Sequence, residues 1–389
     1  MIFAKAEYAE RVDRVKKIMA ARGIDLLVVT DPANMCYLSG YNAWSFYVHQ
    51  AVIVAMDDAM PRFVGRYMDA FCGAVKTTWL SGDHVHAYSD DYVQSTLKHP
   101  MDYLAQLINE MGYGSKTIGV EKDAYYFTAA ACESLQQGLP QAKLADATTL
   151  VSWTKIIKSD AEIALMRKAG KIVEAAMQAA YDTIGVGVRE CDVAAGIMQA
   201  QVKGTAEFGG DYPSIVPLMP RGETSGAPHL TWTDKRYNAG EVVFIEIAGC
   251  YERYHSPMSR TISLGQPAPA VKKTVEITLE GLQAALDTVK PGVTCEAVEA
   301  AWRKVLAQYG YAKESRIGYS MGLNYPPDWG EHTASLRPGD QTVLQPNMTF
   351  HCIPGMYFDN FGVSISEAFR VTETGYETFA RFPRELYIK

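Results

Sequence analysis

The side chains able to do chemistry in this chain are few and widely spaced. Glu246 follows the apolar run Val242-Val243-Phe244-Ile245, where desolvation raises a carboxyl pKa unless a cation sits beside it. A buried acid in such a strand needs a partner. Its chemical reading is nucleophile or general base, and its structural reading is a carboxylate held by hydrogen bonds. His229 stands in Gly226-Ala227-Pro228-His229-Leu230, shortly after Pro220-Arg221-Gly222. An imidazole on a loop, with an unperturbed pKa near ~6.5, suits a proton shuttle, although a lone histidine also serves structure. His255 and Glu252 lie near the same strand and read as rim residues, with His255 a candidate substrate contact. Trp44, Phe46 and Tyr47 crowd the segment Tyr41–His49, between two strand-like runs. They could face a cationic ring, with cation–π attraction of roughly 0.5–2 kcal/mol, or they could pack between domains.

Two domains are expected to hold these groups, residues 1–150 and 151–389, since 389 residues suggest two or three domains at ~150 each. The first alternates an amphipathic stretch (Tyr8 to Met19), buried-strand runs (Leu26–Val29, Ala51–Ala55, Thr117–Val120) and a helical run from Phe127 to Gln137. That alternation predicts a three-layer α/β domain. The second opens with Ser159 and Glu162 at capping-box spacing, followed by Ile163, Met166, Ile172 and Val173 as core contacts of one helix. It also carries a weak repeat: Gly187-Val188-Arg189-Glu190-Cys191-Asp192-Val193-Ala194-Ala195 is echoed by Gly292-Val293-Thr294-Cys295-Glu296-Ala297-Val298-Glu299-Ala300. A period of about a hundred residues indicates a duplicated α-β half-domain rather than a solenoid. Two such halves facing each other put the strands ending at Glu246 and Ile353 on opposite walls of one cleft.

The charge balance is mildly acidic, with 37 Lys and Arg against 44 Asp and Glu. No basic tract appears, so nucleic acid and anionic membranes are not expected partners. Seven cysteines occur singly, without a CxxC pair, as expected of reduced thiols in a cytoplasmic protein. The charged, amphipathic start is unlike a secretion signal, and no apolar run reaches the ~20 residues of a membrane span.

Several blocks resemble those of the creatinase, aminopeptidase P and prolidase family, the "pita-bread" hydrolases. They are Lys155-Ile156-Ile157-Lys158-Ser159-Asp160-Ala161-Glu162-Ile163, Gly240–Glu246, Tyr254–Thr261, Gly318–Leu323, Asn347–Gly355 and Gly362–Glu367. The resemblance covers most of residues 155 to 375 and implies a creatinase-like amino-terminal domain followed by a pita-bread catalytic domain, working as a homodimer. Metal-bearing members supply two aspartates, one histidine and two glutamates to a pair of divalent cations. Here those positions fall on Glu246, Pro257, Tyr319, Ile353 and Ser366. Proline and isoleucine offer no side-chain lone pair, and one carboxylate cannot hold two catalytic metals. No metal or other cofactor is therefore expected.

Without a metal to polarise the electrophile, the substrate must arrive already activated, as a protonated amidine or guanidine does. The resemblance then implies hydrolysis of a carbon–nitrogen bond in a cyclic amidine. It places His229 where the family keeps a cleft histidine, and Tyr319 where a ligand histidine would stand. Tyr319 either donates a hydrogen bond to the nascent intermediate or fills vacated space. Glu331, beside Trp329, matches a carboxylate of creatinase and either anchors a substrate nitrogen or is a solvated loop acid. Creatinase itself fits poorly, because its two cleft glutamates fall on Ser259 and Ile353, and its substrate-binding arginine falls on Gly330. A creatinase-like amidinohydrolase and a metal-dependent Xaa-Pro dipeptidase are the alternatives, with a non-catalytic amidine-binding module behind them.

Overall fold

In the computed structural model, which describes residues 1–389, the chain forms two units, Met1–Lys155 and Ile156–Lys389. The apolar runs of the first become strands of one sheet: β1 (Leu26–Val29), β2 (Ala51–Ala55), β3 (Arg62–Arg66), β4 (Val85–Tyr88), β5 (Thr117–Val120) and β6 (Lys143–Asp146). Their order is β4-β3-β2-β1-β5-β6. Strand β2 runs antiparallel to β1 and β3, while the remaining pairs are parallel. All four residues of β1 are fully buried, as a strand covered on both faces requires. Leu26, Val28 and Ile53 pack with Leu104 and Ile108 of the helix Pro100–Glu110 and Leu135 of the helix Ala129–Gly138. The helix Lys5–Ala21 buries Tyr8, Val12, Val15 and Met19, a spacing that puts them on one face.

The second unit begins at the expected capping box. Ser159 Oγ accepts from the Glu162 amide at 3.2 Å, and Glu162 accepts from the Ser159 amide at 2.8 Å. Ile163, Met166, Ile172 and Val173 of the resulting helix, Asp160–Thr183, are at most 1% exposed. It packs on a hairpin of two ten-residue strands, β7 (Val242–Tyr251) and β8 (Tyr254–Ser263). Gly249 is required there, because a Cβ would stand 2.0 Å from the Ala169 carbonyl oxygen. The strand does not end at Glu246 as its sequence suggested. Ile247, Ala248, Gly249 and Cys250 continue it, so Glu246 lies mid-strand opposite Ser259. The carboxylate interrupts the apolar pattern but not the backbone ladder.

Glu252 and Arg253 form the two-residue hairpin turn, both at positive φ (49° and 66°). That geometry matches strand twist but strains residues other than glycine. Arg253 is fixed by its contacts, with its guanidinium over Tyr212 (4.0 Å) and Tyr325 (4.7 Å) and bonded to the Asn324 carbonyl at 2.9 Å. Glu252 thus belongs to the far tip of the hairpin, five residues of extended strand beyond Glu246.

The second half supplies β9 (Gly318–Met321), β10 (Gly330–Leu336), β11 (Thr349–Cys352), β12 (Met356–Tyr357), β13 (Gly362–Val363), β14 (Glu367–Val371), β15 (Tyr376–Thr378) and β16 (Tyr387–Ile388). Five of them form a sheet in the order β10-β9-β11-β14-β15, β12 pairs with β13, and β16 lies parallel to β8. Each half has its own apolar core. Met177, Ile197, Ile245 and Met258 belong to the first, and Leu282, Trp302, Phe350 and Phe369 to the second.

The internal repeat is written into the backbone hydrogen bonds. The amides of Gly187, Glu190 and Cys191 donate to the carbonyls of Tyr237, Lys235 and Thr233; those of Gly292, Cys295 and Glu296 donate to Leu344, Thr342 and Asp340. The halves join through β8, where the Ser259 amide donates to Ser366 Oγ and the Ser366 amide donates to the Ser259 carbonyl. No helix is long and apolar enough to cross a membrane, and all seven cysteines are free thiols.

Candidate active site

Glu246 is 7% exposed, and its carboxylate makes no hydrogen bond or ion pair with the chain. Its backbone is clasped instead, exchanging hydrogen bonds of 3.0 Å with Leu218. Burial pushes its carboxyl up to about 7, and the negative charge of Asp328 adds to the rise. Burial pushes Asp328 up as well, but hydrogen bonds from His332 and the Gly330 amide, with the His332 and Arg316 charges, hold it below the usual range. The His332 Nε2 contact is 2.8 Å and the Gly330 contact 2.9 Å. Two neighbouring acids are therefore driven apart, one ionised and one poised near neutrality, which is how acid–base sites separate roles. Together they favour a cation.

Tyr319 closes the group. Trp329 Nε1–H, a donor only, bonds its hydroxyl oxygen at 2.8 Å, and His351 Nδ1 lies 2.9 Å from the same oxygen. His351 Nε2 is 2.7 Å from Ser366 Oγ, which already accepts from the Ser259 amide at 2.7 Å. Burial, with the Arg260 and Arg316 charges, lowers His351 to about 3, so the ring is neutral and carries one proton. The wholly buried Ser366 hydroxyl finds an acceptor for its own proton only at His351 Nε2. That accounting assigns the ring proton to Nδ1, donating to Tyr319. The opposite tautomer strands a buried hydroxyl proton, at a cost of ~1–3 kcal/mol. Tyr319 thus accepts two hydrogen bonds, which leaves its own O–H free of those partners, in a place where the Glu246 charge acts on it. Burial and the Glu246 charge keep that phenol protonated, well above its ordinary pKa.

This network occupies the positions that the family resemblance assigned to metal ligands. Tyr319 and Ser366 are committed to His351, Pro257 is buried in β8 opposite Ala248, and Ile353 bonds Ile317 through its backbone. No three histidine, cysteine, aspartate or glutamate side chains converge to hold an ion. These residues do not fit a pair of divalent metals.

Three expected substrate contacts stand behind the site rather than in it. His255 is wholly buried, accepting at Nε2 from the Ser214 amide (3.0 Å) with Nδ1 facing the Gly322 carbonyl (3.3 Å). Burial and Arg253 hold it neutral, so it is neither a rim residue nor open to a ligand. Trp329 is 0% exposed and acts on Tyr319. Glu331 is neither solvated nor an unmatched anion, since Lys158 Nζ lies 2.8 Å from it and both side chains are buried. Hydropathy gave no sign of that pairing, which joins residues 173 positions apart.

His229 is exposed, on the loop following a 3-10 turn at Gly222–Gly226. The turn is pinned where Gly226 approaches the Phe358 carbonyl, leaving 2.0 Å to an added Cβ. The loop borders a cavity of about 600 Å³ walled by Pro220, Arg221, Leu230 and Trp232. The groups that set Glu246's ionisation are burial and Asp328, and His229 is not among them. Trp44, Phe46 and Tyr47 lie in the amino-terminal unit. Trp44 and Tyr47 are 56% and 62% exposed, and the Trp44 and Phe46 rings pack at 4.8 Å. Sequence reasoning overlooked Asp328 and His351. The only hint of either was polarity inside rigid or apolar surroundings, Pro326-Pro327-Asp328-Trp329 and Phe350-His351-Cys352.

Family models agree with this architecture. Residues 11–157 match the Creatinase/Prolidase N-terminal domain, and residues 164–373 match Metallopeptidase family M24. The chain belongs to the creatinase/prolidase group of the M24 family of hydrolases. It is 44% identical to the ectoine hydrolase of Halomonas elongata, over all of this chain and 98% of that one. It is 45% identical to an uncharacterized hydrolase/peptidase of Sinorhizobium fredii, with the same coverage. Among solved structures, dipeptidase PepE from Mycobacterium ulcerans superposes with a TM-score of 0.82 at 26% identity, covering 99% of each chain.

Proposed function

We propose that this hydrolase acts on a carbon–nitrogen bond of a cyclic amidine, opening the ring of ectoine to N-acetyl-L-2,4-diaminobutyrate without a metal. The observation that carries the reading is Glu246, a nine-tenths buried carboxylate without a protein partner. A second acid acts on it, and the tyrosine whose hydroxyl meets Trp329 and His351 is subject to its charge. The 44% identity to an ectoine hydrolase supports the substrate.

An amidinium ring satisfies Glu246 and Asp328 together, and its charge returns Glu246 to the carboxylate form. Glu246 then attacks the amidine carbon or takes a proton from an attacking water. Either route ends with one water added. The carbon–nitrogen double bond becomes a tetrahedral centre, to which Tyr319 donates a hydrogen bond. The ring carbon–nitrogen bond breaks, and the departing nitrogen takes a proton from His229. The products are an amide and a primary amine on one open chain. For His229 this reading requires its exposed loop to move onto the substrate. The hydroxylated ring, 5-hydroxyectoine, is a second substrate on the same chemistry. In this reading the chain works in the cytoplasm as a homodimer, and the exposed loop carrying Trp44, Phe46 and Tyr47 serves the site of a second copy.

Exhaustively chelated protein incubated with ectoine, with ring opening followed by proton NMR, tests the proposal. Full turnover is the expected result; loss of activity restored by added divalent metal overturns the metal-free mechanism. Glu246→Gln and His229→Ala should each abolish turnover without altering the circular dichroism spectrum, and a wild-type rate in either removes that residue from the mechanism.

A further inference from the structure

Arg316, an exposed residue on the segment leading into β9, holds its guanidinium over the Tyr319 ring, 4.6 Å from the ring centre. One of its nitrogens donates to Ser335 Oγ at 3.1 Å. No acid pairs with it: Asp328, an acid its charge acts on, is taken by His332 and the Gly330 amide. A guanidinium carries five N–H donors in a planar fork suited to carboxylates, and the Ser335 bond uses one. Stacking on the ring and the bond to Ser335 limit its freedom, so less order is lost when a ligand engages the rest. The site therefore carries charge of both signs: Glu246, Asp328 and Arg316 all act on Tyr319, and the Arg316 guanidinium lies over its ring.

We propose that Arg316 is an anion subsite, so that the substrate is a small zwitterion whose carboxylate pairs with Arg316 while its amidinium carbon meets Glu246. The inference rests on the cyclic-amidine reading and adds the second half of the ligand. A six-membered ring bearing its carboxylate directly carries both charges in one small ligand. The cation comes from the segment before β9 and not from Gly330, where a creatinase-like arginine would stand.

Steady-state kinetics on two rings separates the possibilities: ectoine, and 2-methyl-1,4,5,6-tetrahydropyrimidine, the same amidine without the carboxylate. Arg316→Met should raise KM for ectoine by about 10- to 100-fold, as expected for losing a charged hydrogen-bonded contact. It should leave KM for the uncharged-tail ring unchanged, and Arg316→Lys should recover part of the loss. An equal change on both rings, or on neither, overturns the subsite while ring opening by the wild type keeps the amidine reading. Wild-type protein that opens neither ring overturns both.

Discussion

Replacing Asp328 by asparagine tests the electrostatics of the site most directly. Asparagine keeps an oxygen that can accept from the Gly330 amide while removing the charge that helps raise Glu246. Burial is the larger of the two causes, so Asp328 accounts for less than half of the rise from 4.5 to about 7. The acid limb of kcat/KM, which reports the free enzyme, should have its midpoint near pH 7 in the wild type. It should move down by up to about one pH unit in Asp328→Asn, equivalent to ~1.4 kcal/mol. At pH 6 the variant then holds more of Glu246 ionised than the wild type does. It also loses part of the cation-binding field, so KM for the amidinium rises. Full pH profiles of kcat at saturating substrate and of kcat/KM at limiting substrate separate the two effects. A midpoint that stays in place or moves up would refute the coupling, and with it Glu246 as the titrating group.

The remaining expectations concern stability and the hydrogen-bond network. Glu246's folded pKa lies above its unfolded value, so its contribution is fully present below about pH 4.5 and is lost as pH rises through about 7. Glu246→Gln should therefore stabilise the protein at pH 8 by on the order of 3 kcal/mol and do little at pH 4; equal melting shifts at both pH values would contradict the burial argument. Tyr319→Phe removes the O–H assigned to the tetrahedral centre, and should lower kcat about 100-fold with little change in KM; a purely space-filling tyrosine predicts no loss. Lys158→Met leaves Glu331 buried without its cation and should cost ~3–5 kcal/mol in denaturant unfolding, much of it recovered by adding Glu331→Gln. A loss below ~1 kcal/mol would mean that water reaches the pair.

Local pattern made much of this protein legible. The runs Leu26–Val29, Ala51–Ala55 and Thr117–Val120 are strands because apolar segments of that length bury both faces only in a covered sheet. Ser159 and Glu162 cap their helix because the capping box needs only residues three apart. The weak repeat reappears as matching backbone hydrogen bonds, since each copy specifies the same local turn. Glu246 was conspicuous as an acid in an apolar run, and it is buried as that run implies.

Only the tertiary structure decided which polar groups are already spent. Glu331 is paired with a lysine 173 residues away, His255 is hydrogen-bonded to Ser214 and Gly322, and Ser366 to Ser259 and His351. Such pairings depend on contacts between distant segments, and hydropathy carries no record of them. The same contacts set the proton order through His351 to Tyr319 and place Arg316 across the tyrosine ring. The sequence determined that one carboxylate survives where metal ligands would stand; the fold decided which neighbours are left to work with it.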